Sequence, residues 1–244
     1  MALNIQTFKT RALTALLFVV VMLTGLLWNF WSFLILVTVI HFGCWFEFVK
    51  LMKKVYSEKY LKYCLFGLIY ITLPVLMMIH LGLKITTSNP NLSGAHFATS
   101  TWVGITFSSI IPCGIIFSIW VNDTMAYLVG SFIGKTPLTK ISPKKTWEGT
   151  IGGIILCIVI ISFTGFIANA GGWIHNSMVQ HFTIIPGICA IFGTFGDLLE
   201  SKLKRMADVK DSGSFMPGHG GFLDRFDSLL FAVPAVWVYV KLFL

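Results

Sequence analysis

Charged residues are scarce: Asp, Glu, Lys and Arg make up 11% of the 244 residues, where a soluble domain carries about 25%. That shortage excludes a disordered tail, a coiled coil and an ordinary cytosolic enzyme. Acids are rarest in the first half, where Glu47 and Glu58 stand alone before Asp123. The cysteines are odd in number, and no two have the CxxC spacing. This excludes a zinc ribbon and a disulfide framework, and leaves Cys44, Cys64, Cys113, Cys157 and Cys189 as small buried apolar residues. Internal repeats, low-complexity tracts and flexible linkers are also missing. What is abundant is apolar: 56% of the chain is hydrophobic, with 22 Phe and 8 Trp. One core of this size cannot enclose so many aromatic rings, whereas a lipid bilayer can surround them.

From Ala12 to Phe46 no residue is Asp, Glu, Lys or Arg. A bilayer span takes about 20 residues, so this run predicts two helices joined near Trp28-Asn29-Phe30-Trp31. The cleavage site of a signal peptide is not found, and the first helix is expected to stay in the mature protein. Further spans are expected at Tyr63–Leu83, Trp102–Val121, Gly149–Ala168, Ile184–Leu199 and from Phe226 to the C-terminus. Asn122–Gly134 is apolar but short and holds Asp123, so it reads as a tilted or re-entrant segment. The expected fold is all-α, a polytopic membrane protein with about seven to nine transmembrane helices. Leu83 to Thr101 reads as a loop. Trp28, Trp31, Trp45, Trp102, Trp120, Trp147 and Trp173 fall at expected span ends, as interfacial anchors do. Gly149 and Gly153 have the small-xxx-small spacing that lets two helices approach closely.

The net charge of +8 comes from 18 Lys and Arg against 10 Asp and Glu. In a membrane protein this balance points to loops facing anionic lipid, and no nucleic-acid partner is expected. The basic clusters Lys50 to Lys62, Lys135 to Lys145 and Lys202 to Arg225 fall on one side if Asn122–Gly134 does not cross. The positive-inside rule then puts them, and the N-terminus, in the cytoplasm. With or without that crossing, the Lys135–Glu148 and Glu200–Arg225 segments share a side, two spans apart. Within them Thr139 and Ser212 read as exposed positions. All acids except Glu47 and Glu58 lie from Asp123 to Asp227. The chain therefore divides into N-terminal transmembrane helices that read as scaffold, residues 1–101, and a C-terminal transmembrane region that reads as the site, residues 102–244.

An acid at a membrane boundary is costly and usually has a task or a partner. Asp197 lies near the end of an apolar helix, with Gly193 and Gly196 lining one face. Asp224 and Asp227 are three apart at the mouth of the last span and share a helix face. Three carboxylates converging there suit a hard cation such as magnesium, held together with phosphate oxygens. Pairing with Lys204 or Arg225, or helix capping, is the competing role. Between these acids runs Pro217-Gly218-His219-Gly220-Gly221, which must leave helical geometry. Its glycines let backbone N–H groups approach phosphates, and a helix starting just after them adds its positive end. A basic juxtamembrane loop with a glycine turn explains the same residues equally well.

The stretch Ser201 to Asp227 reads S-x-x-K-R, then K-D, then P-G-H-G-G-x-x-D-R-x-D. It resembles the signature of the CDP-diacylglycerol synthases, or phosphatidate cytidylyltransferases. Met216 departs from the branched aliphatic or aromatic residue more usual there. Asn122-Asp123-Thr124 to Gly134 and Ser142-Pro143-Lys144-Lys145-Thr146-Trp147-Glu148-Gly149 resemble the same family, so the likeness covers about the C-terminal half. A secondary transporter predicts inverted repeats, which are not seen. The D-x-x-D-G-x-x-A-R signature of CDP-alcohol phosphotransferases is absent.

The resemblance implies a membrane-embedded nucleotidyltransferase of phospholipid biosynthesis. CTP and phosphatidic acid would become CDP-diacylglycerol and pyrophosphate, with Mg2+ or Mn2+ required. It leaves room for a second, monovalent cation and for a homodimer. It implies an integral protein of the inner, cytoplasmic membrane if bacterial, with the site facing the cytoplasm. Asp197, Asp224, Lys145 and His219 are then the catalytic candidates, and Asp197, Asp224 and Asp227 the metal ligands. The candidates for holding substrate are Asp123, Lys144, Lys145, Ser201, Lys204, Arg205, Lys210, Gly220, Gly221 and Arg225.

Overall fold

The computed structural model describes residues 5–88, 102–215 and 220–244. Helix α1 (Ile5–Leu27) and helix α2 (Phe30–Tyr56) meet at the expected break. A reciprocal cap makes that break sharp: the Ser32 N–H donates to Asn29 Oδ1 at 2.8 Å, and the Asn29 N–H donates to Ser32 Oγ at 3.0 Å. Two donors that the start of a helix would leave open are satisfied in this way. Helix α2 runs farther than its apolar stretch, so Lys50, Lys53 and Lys54 lie on a helix instead of in a loop.

The expected span at Tyr63–Leu83 resolves into α3 (Tyr60–Cys64), a π-helical turn over Leu68–Thr72, and α4 (Leu73–Leu81). Pro74 stands in the first turn of α4, where its missing N–H disturbs the helical ladder least. A two-stranded antiparallel hairpin follows, β1 (Leu83–Ser88) with β2 (Trp102–Phe107), paired from Leu83↔Phe107 to Ser88↔Trp102. Trp102 therefore begins a strand and not a span. Part of the Leu83 to Thr101 loop is likewise strand, and its remainder lies outside the described residues.

Helix α5 (Ile110–Ile133) corrects the reading of Asn122–Gly134. That segment is the second half of one continuous helix, neither a separate span nor a re-entrant turn. No breaker stands inside it: Pro112 falls in the first turn, and the next proline is Pro137. The Thr124 hydroxyl donates back to the Trp120 carbonyl at 2.8 Å, a bond made inside the helix. Helices α6 (Trp147–Ala170), α7 (His181–Met206) and α8 (Leu223–Phe243) complete the chain. Among the described residues, five helical stretches are long and apolar enough to cross a bilayer: Phe30–Cys64, Ile110–Ile133, Trp147–Ala170, His181–Met206 and Leu223–Phe243. Ala12–Leu27 and Leu68–Leu81 are shorter apolar helices. The architecture is thus helical and membrane-spanning, and length and composition support five spans where seven to nine were expected.

Helices α5, α6, α7 and α8 pack in sequence against one another. Lipid tails are as apolar as Leu, so close van der Waals approach has to hold such helices together. The glycines provide it. A Cβ on Gly153 would stand 2.7 Å from Ala126 Cβ on α5, and one on Gly149 2.9 Å from Gly130 Cα, both too close for real atoms. Gly196 does the same between α7 and α8, where a Cβ would meet Phe231 Cβ at 2.8 Å and the Asp227 backbone. The core between α1, α2, α4, α5 and α8 is filled by Met22, Leu26, Phe33, Ile71, Ile115, Leu223 and Val233. Phe42, Phe163 and Phe166 point outward, as expected of residues facing lipid. Cys44, Cys157 and Cys189 are buried, and all five cysteines are free thiols. Trp28, Trp31, Trp147 and Trp173 are exposed at helix ends. Trp45 and Trp120 are not end anchors. Trp45 sits inside α2 and donates its indole N–H to Thr72 Oγ1 at 2.9 Å, and Trp120 packs against Phe18 and Phe117 inside α5.

Candidate active site

The segment between α5 and α6 is a closed clasp. The Leu138 N–H donates to the Lys145 carbonyl at 2.7 Å and the Trp147 N–H to the Thr136 carbonyl at 2.9 Å. The Glu148 carboxylate accepts the N–H groups of Lys135 and Thr136, each at 3.2 Å. Thr146 caps α6 by accepting the Gly149 N–H on its hydroxyl at 3.1 Å. Within the clasp Lys144 is exposed, while Lys145 turns toward α7 and forms an ion pair with Asp197. The two segments expected on one side of the membrane therefore meet at one end of the bundle.

Asp197 also accepts the Ser201 hydroxyl, at 3.3 Å, one helical turn on. Because Gly196 lets α8 approach so closely, Asp227 comes near Asp197. Asp227 is buried and accepts the Ser228 N–H at 2.6 Å. Asp123 of α5 joins them: Asp123, Asp197 and Asp227 act on one another electrostatically, and Lys145 is the opposing charge. Arg225, exposed in the first turn of α8, is within electrostatic reach of Asp123.

A second cluster lies beside the first. Lys204 is bound on one side by Glu200 and on the other by Asp224 Oδ1, at 2.6 Å. Glu200 is fully enclosed, and its Oε1 has no hydrogen-bond partner among the described residues. Asp224 Oδ2 accepts the Ser212 N–H and the Ser212 hydroxyl, each at 2.9 Å, and the Gly221 N–H at 2.8 Å. Gly220 adopts φ +82°, and a Cβ there would stand 2.7 Å from Asp224 Oδ2, so only glycine fits comfortably.

The carboxylates are thus divided, with Asp197, Asp227 and Asp123 on Lys145 and Asp224 with Glu200 on Lys204. Among the described residues no three of His, Cys, Asp and Glu converge as a ready metal cage. The N–H groups that open α8 also differ from expectation. Gly221 donates to Asp224, while Phe222 and Leu223 donate to Glu47 at 3.0 and 2.9 Å. The protein's own carboxylates cap this helix start, so these donors are not open to a phosphate. Ser212, expected to be exposed, is buried with its hydroxyl between Glu47 and Asp224, within hydrogen-bond distance of both. Arg205 and Lys210 are exposed near the clusters, and Pro217, Gly218 and His219 lie outside the described residues.

Sequence reasoning passed over Glu47, Glu200 and Ser212 as site residues. Glu47 carried a usable signal, being an acid inside the apolar run Trp45-Phe46-Glu47-Phe48-Val49. Beside the Lys204 cluster an apolar groove of about 1000 Å³ opens between α2, α4, α7 and α8. Tyr56, Tyr70, Leu199, Leu203, Phe231 and Pro234 are among the residues lining it.

The model of the cytidylyltransferase family matches residues 77–243. Phosphatidate cytidylyltransferase 5, chloroplastic, of Arabidopsis thaliana is 48% identical over 141 residues, which are 57% of this chain and 33% of the relative. The phosphatidate cytidylyltransferase of Bacillus subtilis is 44% identical over 127 residues, 51% of this chain and 45% of the relative. That of Thermotoga maritima is 39% identical over 128 residues, 51% of this chain and 47% of the relative. The matched part thus spans between a third and a half of these relatives. Residues 77–243 contain both lysine–carboxylate clusters, and with more than half of its length matched by the family model the chain belongs to the cytidylyltransferase family.

Proposed function

We propose that this protein is a membrane-embedded phosphatidate cytidylyltransferase, joining the CMP part of CTP to phosphatidate. The carrying observation is that Lys145–Asp197 and Glu200–Lys204–Asp224 stand side by side at one end of the bundle, next to an apolar groove. The names of the relatives supply the substrates, and the paired charges and groove suit them: a triphosphate, and a phosphate on an acylated glycerol.

In this reading a phosphomonoester oxygen of phosphatidate forms a bond to the α-phosphorus of CTP. The bond from that phosphorus to the bridging oxygen breaks, and pyrophosphate leaves with the electron pair. The nucleophile is already an anion near neutral pH, so the protein's work is to place two anions in line and neutralise their charge. Lys144, Lys145, Arg205, Lys210 and Arg225 supply that neutralisation, and Lys145 orients its ligand through its hold on Asp197. The clasp formed with Glu148 keeps Lys144 and Lys145 at the mouth of the site. The groove accepts acyl chains while the headgroup reaches Lys204, so the lipid need not leave the membrane.

A divalent cation, magnesium or manganese, fits the donor chemistry. The donors are carboxylate oxygens: Asp197 and Asp227 stand near one another, and beside Asp224 the enclosed Glu200 keeps Oε1 without a hydrogen-bond partner among the described residues. Magnesium is commonly held by one or two carboxylates together with substrate phosphates. Asp197, Asp224 and Asp227 would hold it, and it would supply positive charge that offsets the charge of the phosphates. The positive-inside rule favours the cytoplasm for this end of the bundle, where CTP is available, with α1 and the helical stretch from α3 through α4 crossing as further spans.

The test is incubation of purified protein in mixed micelles with labelled CTP, magnesium and phosphatidate. Labelled lipid and released pyrophosphate are expected. Folded protein that yields neither across a range of detergents overturns the proposal.

A further inference from the structure

We infer that Glu47 is a positioning residue of this site, although it lies on α2 in the half of the chain expected to be scaffold. The inference rests on the proposed cytidylyl transfer for its meaning and on separate geometry for its support. Glu47 is buried at 4% exposure. Its Oε1 accepts the Phe222 N–H at 3.0 Å, and its Oε2 accepts the Leu223 N–H at 2.9 Å and the Ser212 hydroxyl at 2.6 Å. All three partners are donors, so the group acts purely as an acceptor, which suits a carboxylate better than an amide.

These contacts cap α8 from another helix. The first N–H groups of a helix have no partner within it, and a carboxylate there also meets the positive end of the helix dipole. Helix α8 opens with Asp224, Arg225 and Asp227, so fixing its start fixes three charged side chains of the site. The Ser212 hydroxyl extends the hold, because it lies 2.6 Å from Glu47 Oε2 and 2.9 Å from Asp224 Oδ2 and its single proton is shared between the two carboxylates. Gly213 and Gly221 close on the same carboxylate: a Cβ on either would overlap the Glu47 carboxyl group. Gly213 and Gly221 therefore serve close approach to Glu47, and at Gly221 spacing alone had suggested phosphate.

The test compares wild type, Glu47→Gln, Glu47→Asp and Ser212→Ala, with the exposed Glu58→Gln as control. Each full-length protein is assayed in micelles for kcat and KM with CTP and phosphatidate, and for backbone hydrogen exchange. Glu47→Gln keeps the shape but sets an amide N–H2 against backbone donors. It should lower kcat roughly tenfold or more, as small displacements of catalytic groups do, with KM for CTP changed much less. Exchange should rise in the peptide holding Phe222 and Leu223 and stay unchanged in α6. Glu47→Asp should recover part of the rate, Ser212→Ala should follow Glu47→Gln in milder form, and Glu58→Gln should match wild type.

A wild-type kcat in Glu47→Gln overturns the inference. So does increased exchange throughout the bundle, which would make Glu47 a general stabiliser and not a positioning residue. Wild-type protein without cytidylyl transfer would overturn the proposed function instead. The exchange measurement would still decide the inference, since unchanged protection at Phe222 and Leu223 in Glu47→Gln removes its basis.

Discussion

Lys204 stands between two carboxylates, and one of them, Glu200, has no exposure at all. Replacing Lys204 by Met would leave that acid enclosed without a counter-charge, which for a buried pair costs about 3–5 kcal/mol. The thermal midpoint in detergent should fall clearly for Lys204→Met and recover in the double variant Lys204→Met with Glu200→Gln. An unchanged midpoint in the single variant would mean that the ion pair is not formed. Asp197 and Asp224 should behave differently, since Asn keeps their shape and removes their charge. Asp197→Asn and Asp224→Asn should each lower turnover at least about 100-fold, the scale of losing a charge-stabilising group. Both proteins should remain folded by circular dichroism. Near-wild-type turnover in either would remove that residue from the chemistry. The identity of these acids was legible in the sequence because ionised groups beside an apolar run need a reason. Pairing with Lys204 was open to sequence reasoning and is found at Asp224, whereas Lys145 and Asp197 are 52 positions apart, and no local rule connects them.

At the scale of elements, the glycines of α6 set how closely it meets α5. Helix propensity favours Gly→Ala by up to about 1 kcal/mol, while overpacking a tight contact costs about 1–3 kcal/mol. At Gly153 a new Cβ would meet Ala126, including its backbone, so packing should win and Gly153→Val should lower the thermal midpoint. At Gly114 a Cβ would meet nothing within 4 Å, so propensity should win and Gly114→Ala should hold or raise it. Equal midpoints for the two variants would show that α5 and α6 do not approach as described. The small-residue spacing of Gly149 and Gly153 was readable directly from the sequence. The continuity of α5 was not, because Asn122-Asp123 resembles a boundary in one dimension. In the helix Asp123 comes within electrostatic reach of Asp197, while Asn122 beside it is buried.

For the whole molecule, the shared end of α6, α7 and α8 predicts a labelling pattern. Cysteines replacing the exposed Lys140 and Ser214 should react with an impermeant thiol reagent from one side of a sealed membrane. One replacing Asn176, in the connection between α6 and α7, should react only from the other. The experiment needs a background without Cys44, Cys64, Cys113, Cys157 and Cys189. That variant should lose stability but keep cytidylyl transfer, because free thiols in apolar settings act as packing groups. Reaction of Lys140→Cys and Ser214→Cys from opposite sides would break the site apart, and inactivity of the folded cysteine-free protein would reveal thiol chemistry. The sequence by itself determined that the chain is helical and lives in a membrane, since hydrocarbon admits only long apolar helices or closed barrels. It also showed that all acids except Glu47 and Glu58 lie from Asp123 to Asp227, where uncompensated charge near hydrocarbon is costly. The i,i+4 pair of Glu200 with Lys204 is local to α7, but packing between helices sets the rest: Lys145 with Asp197, Lys204 with Asp224, and Glu47 at the start of α8. Pairings between helices depend on rotation and depth, which α5, α6, α7 and α8 acquire only when their glycines bring them into contact.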